Sequence, residues 1–123
     1  MGVAHHAAYA PWLEIARTEL LREVGKSYAE MESQGVLMVI VKLEVAYRRP
    51  IRYDDVIEVD CTVKAGSRVK IEHEYEVRVV EQSAHGPPGE ARTGHVNAAA
   101  KTVLACVDRA GKVRELPGWL VGA

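Results

Sequence analysis

Apolar and polar positions along the chain change period once, near Gly35. Before that point they follow a helical rhythm. Leu13, Ala16, Leu20 and Val24 fall on one face at i, i+3, i+4 spacing, widened by Trp12, Ile15 and Leu21. Glu14, Arg17, Glu19, Arg22 and Glu23 take the remaining positions, so the pattern predicts an amphipathic helix from Pro11 to Val24. Pro11 suits the start, because the N–H it lacks would be unpaired there anyway. Gly25 is a natural stop. Ser27 and Glu30 have capping-box spacing and open a short second helix ending near Gly35.

After Gly35 the period becomes two. Val36–Tyr47 reads as a strand, with Leu43, Val45 and Tyr47 alternating against Lys42, Glu44 and Ala46 until Pro50 ends it. Val56–Lys64 sets Ile57, Val59, Cys61 and Val63 opposite Glu58, Asp60, Thr62 and Lys64. Beyond the turn at Ala65–Ser67, Arg68–Val80 alternates most clearly: Val69, Ile71, His73, Tyr75, Val77 and Val79 against charged neighbours. Glu81–Gly94, with its prolines and glycines, reads as a long exposed loop that a core does not need. His95–Val107 is the last strand, followed by a short tail at Val113–Leu120. A charged face opposite an apolar face means a sheet with one side in water. One long helix lying on the apolar side satisfies both elements, so the expected class is α+β, a single domain over residues 1–123.

Composition narrows the partners. The chain has 123 residues, 48% of them hydrophobic and 27% charged, enough for a packed core without disulfides or metal. Sixteen Lys and Arg against 17 Asp and Glu give a net charge of −1, which argues against a nucleic-acid binder. Aromatics are 6% with no Phe, a poor base-stacking platform. Cys61 and Cys106 sit in apolar segments without metal-ligand spacing and read as reduced core thiols. The aliphatic run Val36–Val41 is too short for membrane insertion, and no signal peptide precedes the helix, so the expected compartment is the cytoplasm.

Several blocks then resemble a known family. Gly2-Val-Ala-His-His-Ala-Ala-Tyr9, Leu13-Glu-Ile-Ala-Arg-Thr-Glu-Leu-Leu-Arg-Glu-Val-Gly25 and Tyr47-Arg-Arg-Pro-Ile-Arg-Tyr-Asp-Asp55 resemble the hotdog-fold acyl-CoA thioesterases. The nearest branch is the 4-hydroxybenzoyl-CoA thioesterase-like group associated with the Tol–Pal system. Cys106–Pro117 resembles that branch's last hairpin, whereas Glu81–Gly94 looks like an insertion. The resemblance implies a hotdog fold, a sheet wrapped around one central helix, assembled as a homodimer or homotetramer with active sites at the subunit interface. It implies hydrolysis of acyl-CoA to free acid and coenzyme A, with no metal and no other cofactor.

The resemblance also assigns residues. His6 matches the family histidine, and its backbone N–H at the helix entry is the expected oxyanion donor; two loop histidines without a role are the plainer alternative. Gly2, Val3 and Tyr9 would touch substrate, with Tyr9 equally suited to stapling the helix entry. Arg48, Arg49 and Arg52 form one basic cluster and Ser67, Arg68 and Lys70 another; Arg49, Ser67 and Arg68 are the candidate contacts to coenzyme A phosphates. The family's catalytic Asp would lie two residues ahead of Met1, and the family's first strand would precede it. Because the motif resumes at once at Gly2, the expectation is a natural chain longer than this one. A chain that truly lacks the Asp would be an inactive acyl-CoA or acyl-carrier binding module. Glu14 is the reserve base, although Glu14 and Arg17 also have the spacing of a structural ion pair. Asp54 and Asp55 read as turn residues, and His73 as a hydrogen-bonded core or interface histidine.

Overall fold

The computed structural model describes residues 8–117 and Leu120. Two helices come first, α1 (Tyr9–Glu23) and α2 (Tyr28–Ser33). Four strands follow: β1 (Leu37–Tyr47), β2 (Val56–Gly66), β3 (Lys70–Glu81) and β4 (Ala98–Val107). They form one antiparallel sheet in the order β1-β4-β3-β2, so β1 and β2 are its edges.

Local chemistry accounts for most boundaries. α1 begins at Tyr9, two residues ahead of the expected Pro11, which still falls in the first turn where an N–H is not required. Gly25 adopts φ +76°, and its N–H donates to the Arg22 carbonyl at 2.9 Å, stopping α1. The Ser27 hydroxyl accepts from the Glu30 N–H at 3.1 Å, the cap expected for α2. β2 runs to Gly66, and the Ser67 hydroxyl accepts from the Lys70 N–H at 3.1 Å to turn the chain into β3. β4 begins at Ala98 rather than His95, because Asn97 is drawn into contacts outside the ladder described below.

The core lies between α1 and the inner face of the sheet. On β3, Ile71, His73, Tyr75, Val77 and Val79 are buried, the alternation the sequence predicts. On β4, Ala98, Ala100, Thr102, Leu104 and Cys106 are buried in the expected phase. α1 departs from expectation. Its buried positions are Tyr9, Leu13, Arg17 and Leu21, while Val24 is 45% exposed. The stripe is rotated because the sheet offers a polar seat for Arg17.

That seat divides the core into two apolar clusters. Tyr9, Leu13, Ile51, Val77, Val79 and Ala98 lie at one end of the sheet. Leu21, Met31, Val36, Ile71, Leu104, Cys106 and the tail residues Leu116 and Leu120 lie at the other. Full burial of a Leu such as Leu13 contributes about 1.5–3 kcal/mol. The tail is held by the Leu116 N–H donating to the Arg68 carbonyl at 2.8 Å. Among the described residues no helix is long and apolar enough to cross a membrane, and no group of His, Cys, Asp or Glu is placed to hold a metal ion.

Candidate active site

The start of α1 is chemically unusual. Ala8 occupies the N-cap with no side-chain hydrogen bond, and the first turn holds no acidic residue. A helix start normally attracts a side-chain oxygen and negative charge, because its first N–H groups lack partners and carry a partial positive charge. Around this turn stand three aromatics. The Tyr9 ring lies 4.9 Å from that of Trp12 and meets the Tyr47 ring edge-on at 5.0 Å. Tyr9 is 4% exposed, and burial, followed by the neighbouring Tyr47, raises its phenol pKa. Tyr9 therefore anchors α1 in the core, whatever else it touches.

Beside this turn a groove of about 490 Å³ runs between α1 and the edge strand β2. Trp12, Ile15, Ala16 and Leu20 line one wall and Ile57, Val59 and Cys61 the other, with Glu19, Glu23 and Asp60 also in the lining. A second hollow, of about 510 Å³, lies on the opposite face of the sheet among Glu44, Asp60, Glu74, Glu76 and Lys101. That hollow is charged and faces away from α1, so the apolar groove is the better receptor for an acyl group.

Deeper in, a polar belt crosses the core. Arg17, 6% exposed, donates from Nη1 to the Tyr75 hydroxyl at 3.2 Å, and that hydroxyl pairs with Thr102 Oγ1 at 2.6 Å. Tyr28 from α2 lies close enough to the guanidinium to favour its charge. The expected pair with Glu14 does not form: Glu14 is exposed, and its carbonyl accepts from the Thr18 hydroxyl at 2.8 Å. Arg17 Nε and His73 Nδ1 are buried without hydrogen-bond partners among the described residues. His73 is thus a core histidine, as expected, but its Nδ1 lacks the expected hydrogen bond. Burial, followed by the charge of Arg17, lowers its pKa to about 4, so it is neutral at pH 7. Burial raises the Cys61 thiol to about 11, which leaves it un-ionised and unreactive.

A charged cluster closes the end of the sheet nearest Tyr9. Arg92, 1% exposed, donates from Nε to Asp55 Oδ2 at 2.8 Å and from Nη2 to Asp55 Oδ1 at 2.9 Å. Asp55 also accepts from the backbone N–H groups of Arg52 and Ser83, both at 2.8 Å. Glu90 joins Arg52 and Arg92, each at 2.8 Å. Burial alone would raise the Asp55 pKa. The Arg92 guanidinium and the two N–H groups outweigh it and hold the carboxyl well below the usual range. Hydrogen bonding from Arg52 brings Glu90 down to about 2. Glu81–Gly94 is therefore no free loop. Its tip is exposed, but its base is locked onto the turn at Arg52–Asp55.

Comparison with known proteins identifies the family. The model of the thioesterase superfamily matches residues 1–84. The chain belongs to the thioesterase superfamily. It is 28% identical over 113 residues to the putative acyl-CoA thioesterase YneP of Bacillus subtilis, covering 89% of this chain and 70% of that protein. It is 37% identical over 62 residues to the acyl-CoA thioester hydrolase YbgC of Escherichia coli O6:H1, covering 50% of this chain and 46% of that one. The crystal structure of the DHNA-CoA thioesterase from Staphylococcus aureus superposes with a TM-score of 0.81 at 30% identity, covering 94% of this chain and 70% of that one. The fold is the hotdog fold of this superfamily, as the sequence led us to expect. The chain spans 70% or less of the length of these relatives.

Within this thioesterase-superfamily chain the expected site residues do not all converge. Gly2, Val3 and His6 lie outside the described residues. Tyr9 is at the α1 start. Arg49 is close by in the chain, two residues beyond Tyr47, exposed and held through its backbone. Ser67 and Arg68 form the turn at the far end of β3. At ~3.3 Å per residue the stretch of strand from Lys70 to Val79 alone puts roughly 30 Å between that turn and the Val79 end. There Arg68 pairs with Glu115 at 3.1 Å, both well exposed. Arg52, counted in the basic cluster by sequence, has its guanidinium engaged by Glu90. Sequence reasoning missed Glu90, Arg92 and Asn97. The only signal was a charged pair inside a Gly- and Pro-rich loop, matching the charges of Arg52 and Asp55.

Proposed function

We propose that this chain hydrolyses acyl-coenzyme A thioesters to a free acid and coenzyme A, with no metal or redox cofactor. The observation that carries the reading is the uncapped start of α1 in a member of the thioesterase superfamily. A thioester carbonyl placed there would meet the N–H groups of a helix start, in a first turn that carries no carboxylate to compete for them. As the carbonyl becomes tetrahedral its oxygen gains charge, and those N–H groups stabilise the transition state more than the substrate. In this reading the backbone N–H of His6 belongs to the same donor set, Gly2 and Val3 line the approach, and the apolar groove beside Trp12 receives the acyl group. The attacking water or nucleophile needs a carboxylate. In this reading the base is the family's Asp, which the matching blocks would put ahead of Met1, with Glu14 as the alternative.

Assembly belongs to the same proposal: a homodimer, or a homotetramer made as a dimer of dimers, built on the edge strand β1. So do a cytoplasmic location and kinship with the Tol–Pal-associated branch, which rests on the sequence blocks alone. The names of the relatives favour turnover over a binding-only module. The deciding experiment follows thiol release from a panel of acyl-CoA substrates, with this chain and with Glu14→Gln. If an upstream Asp is the base, this chain turns over slowly, Glu14→Gln changes little, and restoring the upstream residues raises the rate at least ~10²-fold. If Glu14 is the base, this chain is fully active and Glu14→Gln loses that factor. Coenzyme A binding without turnover in either length would overturn the hydrolase reading.

A further inference from the structure

β1 ends in a tyrosine that the core holds but does not cover. Residues paired directly across an antiparallel ladder share a face of the sheet. Tyr47 pairs with Ala98, and Leu43 with Thr102. Ala98 and Thr102 are buried on the α1 side, so Tyr47 and Leu43 point to that side as well. Tyr47 is nevertheless 55% exposed and Leu43 44%. The α1-side face of β4 is closed, and that of the edge strand β1 is open.

Tyr9 gives the Tyr47 ring a fixed place on that open face. Tyr9 is packed in the core with Leu13, Ile51, Val77 and Ala98, and it meets the Tyr47 ring at 5.0 Å with 87° between the planes. Ring quadrupoles favour such an edge-on pair, and here one member is immobilised by its neighbours. Tyr9 also touches the Trp12 ring, at 4.9 Å. Trp12 lines the apolar groove along β2, so the two rings beside Tyr9 belong to opposite edges of the sheet. Among the described residues the Tyr47 hydroxyl meets no hydrogen-bond partner.

The α1 start therefore has two sides of different chemistry. The Trp12 side is apolar and receives the acyl group in the acyl-CoA reading above, on which this inference rests. The thiol portion then leaves on the Tyr47 side, and its first polar group is the amide two methylenes from the sulfur. We propose that Tyr47 binds the substrate on the thiol side of the thioester, its hydroxyl donating to the carbonyl of that amide, and that Tyr9 is the positioning residue that holds its ring. Tyr9, which the resemblance would have touch substrate, is buried and acts from behind Tyr47. A phenol suits this task, because its ring packs on methylenes while its O–H donates without adding charge. The contact is the same before and during reaction, so it is felt in KM rather than in kcat.

The test places one acyl group on N-acetylcysteamine, which keeps the amide, and on propanethiol, which lacks it. Tyr47→Phe is expected to lower kcat/KM for the first about fivefold, through KM, the loss of one neutral hydrogen bond. For the propyl thioester the change should be less than about twofold. Tyr53→Phe, at an exposed tyrosine outside the site, should leave both values in place. Tyr9→Leu removes the supporting ring and should reproduce the Tyr47→Phe split with kcat retained, while Tyr9→Phe, which keeps the ring, restores KM. Tyr9→Met takes the place of Tyr9→Leu should the latter not fold. A Tyr47→Phe variant with native kcat/KM on both substrates, or one that loses equally on both, overturns the assignment. A Tyr9→Leu or Tyr9→Met variant that folds and keeps the native KM overturns the positioning role, as does a Tyr9→Phe loss as large as that of Tyr47→Phe. If the native chain hydrolyses no thioester, the hydrolase reading fails separately, and calorimetry with coenzyme A decides. Tyr47→Phe weakening that binding about fivefold supports the contact, and equal affinities or no binding overturn it.

Discussion

His73 is where burial has the clearest consequence for a single residue. Its imidazole is 4% exposed, with Nδ1 unpartnered and the Arg17 cation nearby. In the folded chain its pKa is about 4, against ~6.5 for an unfolded histidine. Between those values the unfolded chain binds a proton that the folded chain refuses. Stability therefore falls as the pH drops below about 6.5, and the loss levels off near pH 4. The penalty is roughly 1–3 kcal/mol after allowing for partial screening. Denaturant unfolding of the parent and of His73→Leu at pH 6.5 and 4.5 reads this directly. The parent should lose about 1–2 kcal/mol more than the variant over that interval. Parallel losses would mean that His73 takes its proton freely in the folded state. Arg17 explains why such a residue exists: a buried guanidinium bonded to neutral hydroxyls disfavours a second cation beside it.

At the scale of elements, the segment from Glu81 to Gly94 reverses its expected standing. Composition marks it as dispensable, but its base supplies Arg92 and Glu90 to a closed set of charges around Asp55. Replacing the whole segment with a short Gly/Asn turn strands Asp55 in the interior without its guanidinium. The thermal midpoint should then fall on the order of 10 °C, whereas shortening only the exposed tip at residues 84–88 should cost a few degrees at most. Equal midpoints for the two deletions would show that the cluster adds nothing. The contrast marks what a sequence can reveal. β3 was legible because each charged residue faces water and each apolar one faces α1, a pattern carried entirely by neighbours. The α2 cap was legible for the same reason: Ser27 and Glu30 meet within one turn. Arg17 was misplaced on the wet face because its seat is built by Tyr75 and Thr102, distant in sequence. Asp55 was correctly read as a turn residue, but its partner Arg92 lies across a 37-residue separation that periodicity does not encode. At the candidate site the resemblance singled out the α1 start and Arg49, while Asn97, whose partners Val79, Pro50 and Arg92 are distant in sequence, left no sequence signal.

On the scale of the whole molecule, the sheet has an unfinished edge. Among the described residues β1 is bonded only to β4, and Val39, Ile40, Val41 and Leu43 are each 40–52% exposed. The ladder shifts register between Ile40 and Lys42, which places Val41 at an irregularity in the middle of this edge. Natural edge strands are usually short, charged or covered, because bare N–H and C=O groups invite another strand. β1 is instead 11 residues long and apolar from Leu37 to Val41. A second copy of β1 would satisfy both the backbone and the side chains, and a two-fold arrangement closes after one pairing, so growth stops at the dimer. Light scattering at micromolar concentration should therefore give twice the chain mass. Val41→Glu puts like charges at the centre of the edge, one from each copy, and should shift the protein toward monomer by at least tenfold in dissociation constant. Because Tyr47 at the end of the same strand packs on Tyr9, loosening the edge also loosens the turn proposed to hold the thioester. Hydrolysis should then fall with dilution in Val41→Glu at concentrations where the parent rate per chain is constant. A parent that is monomeric at these concentrations, or a Val41→Glu variant that remains a dimer, would show that β1 is covered in some other way.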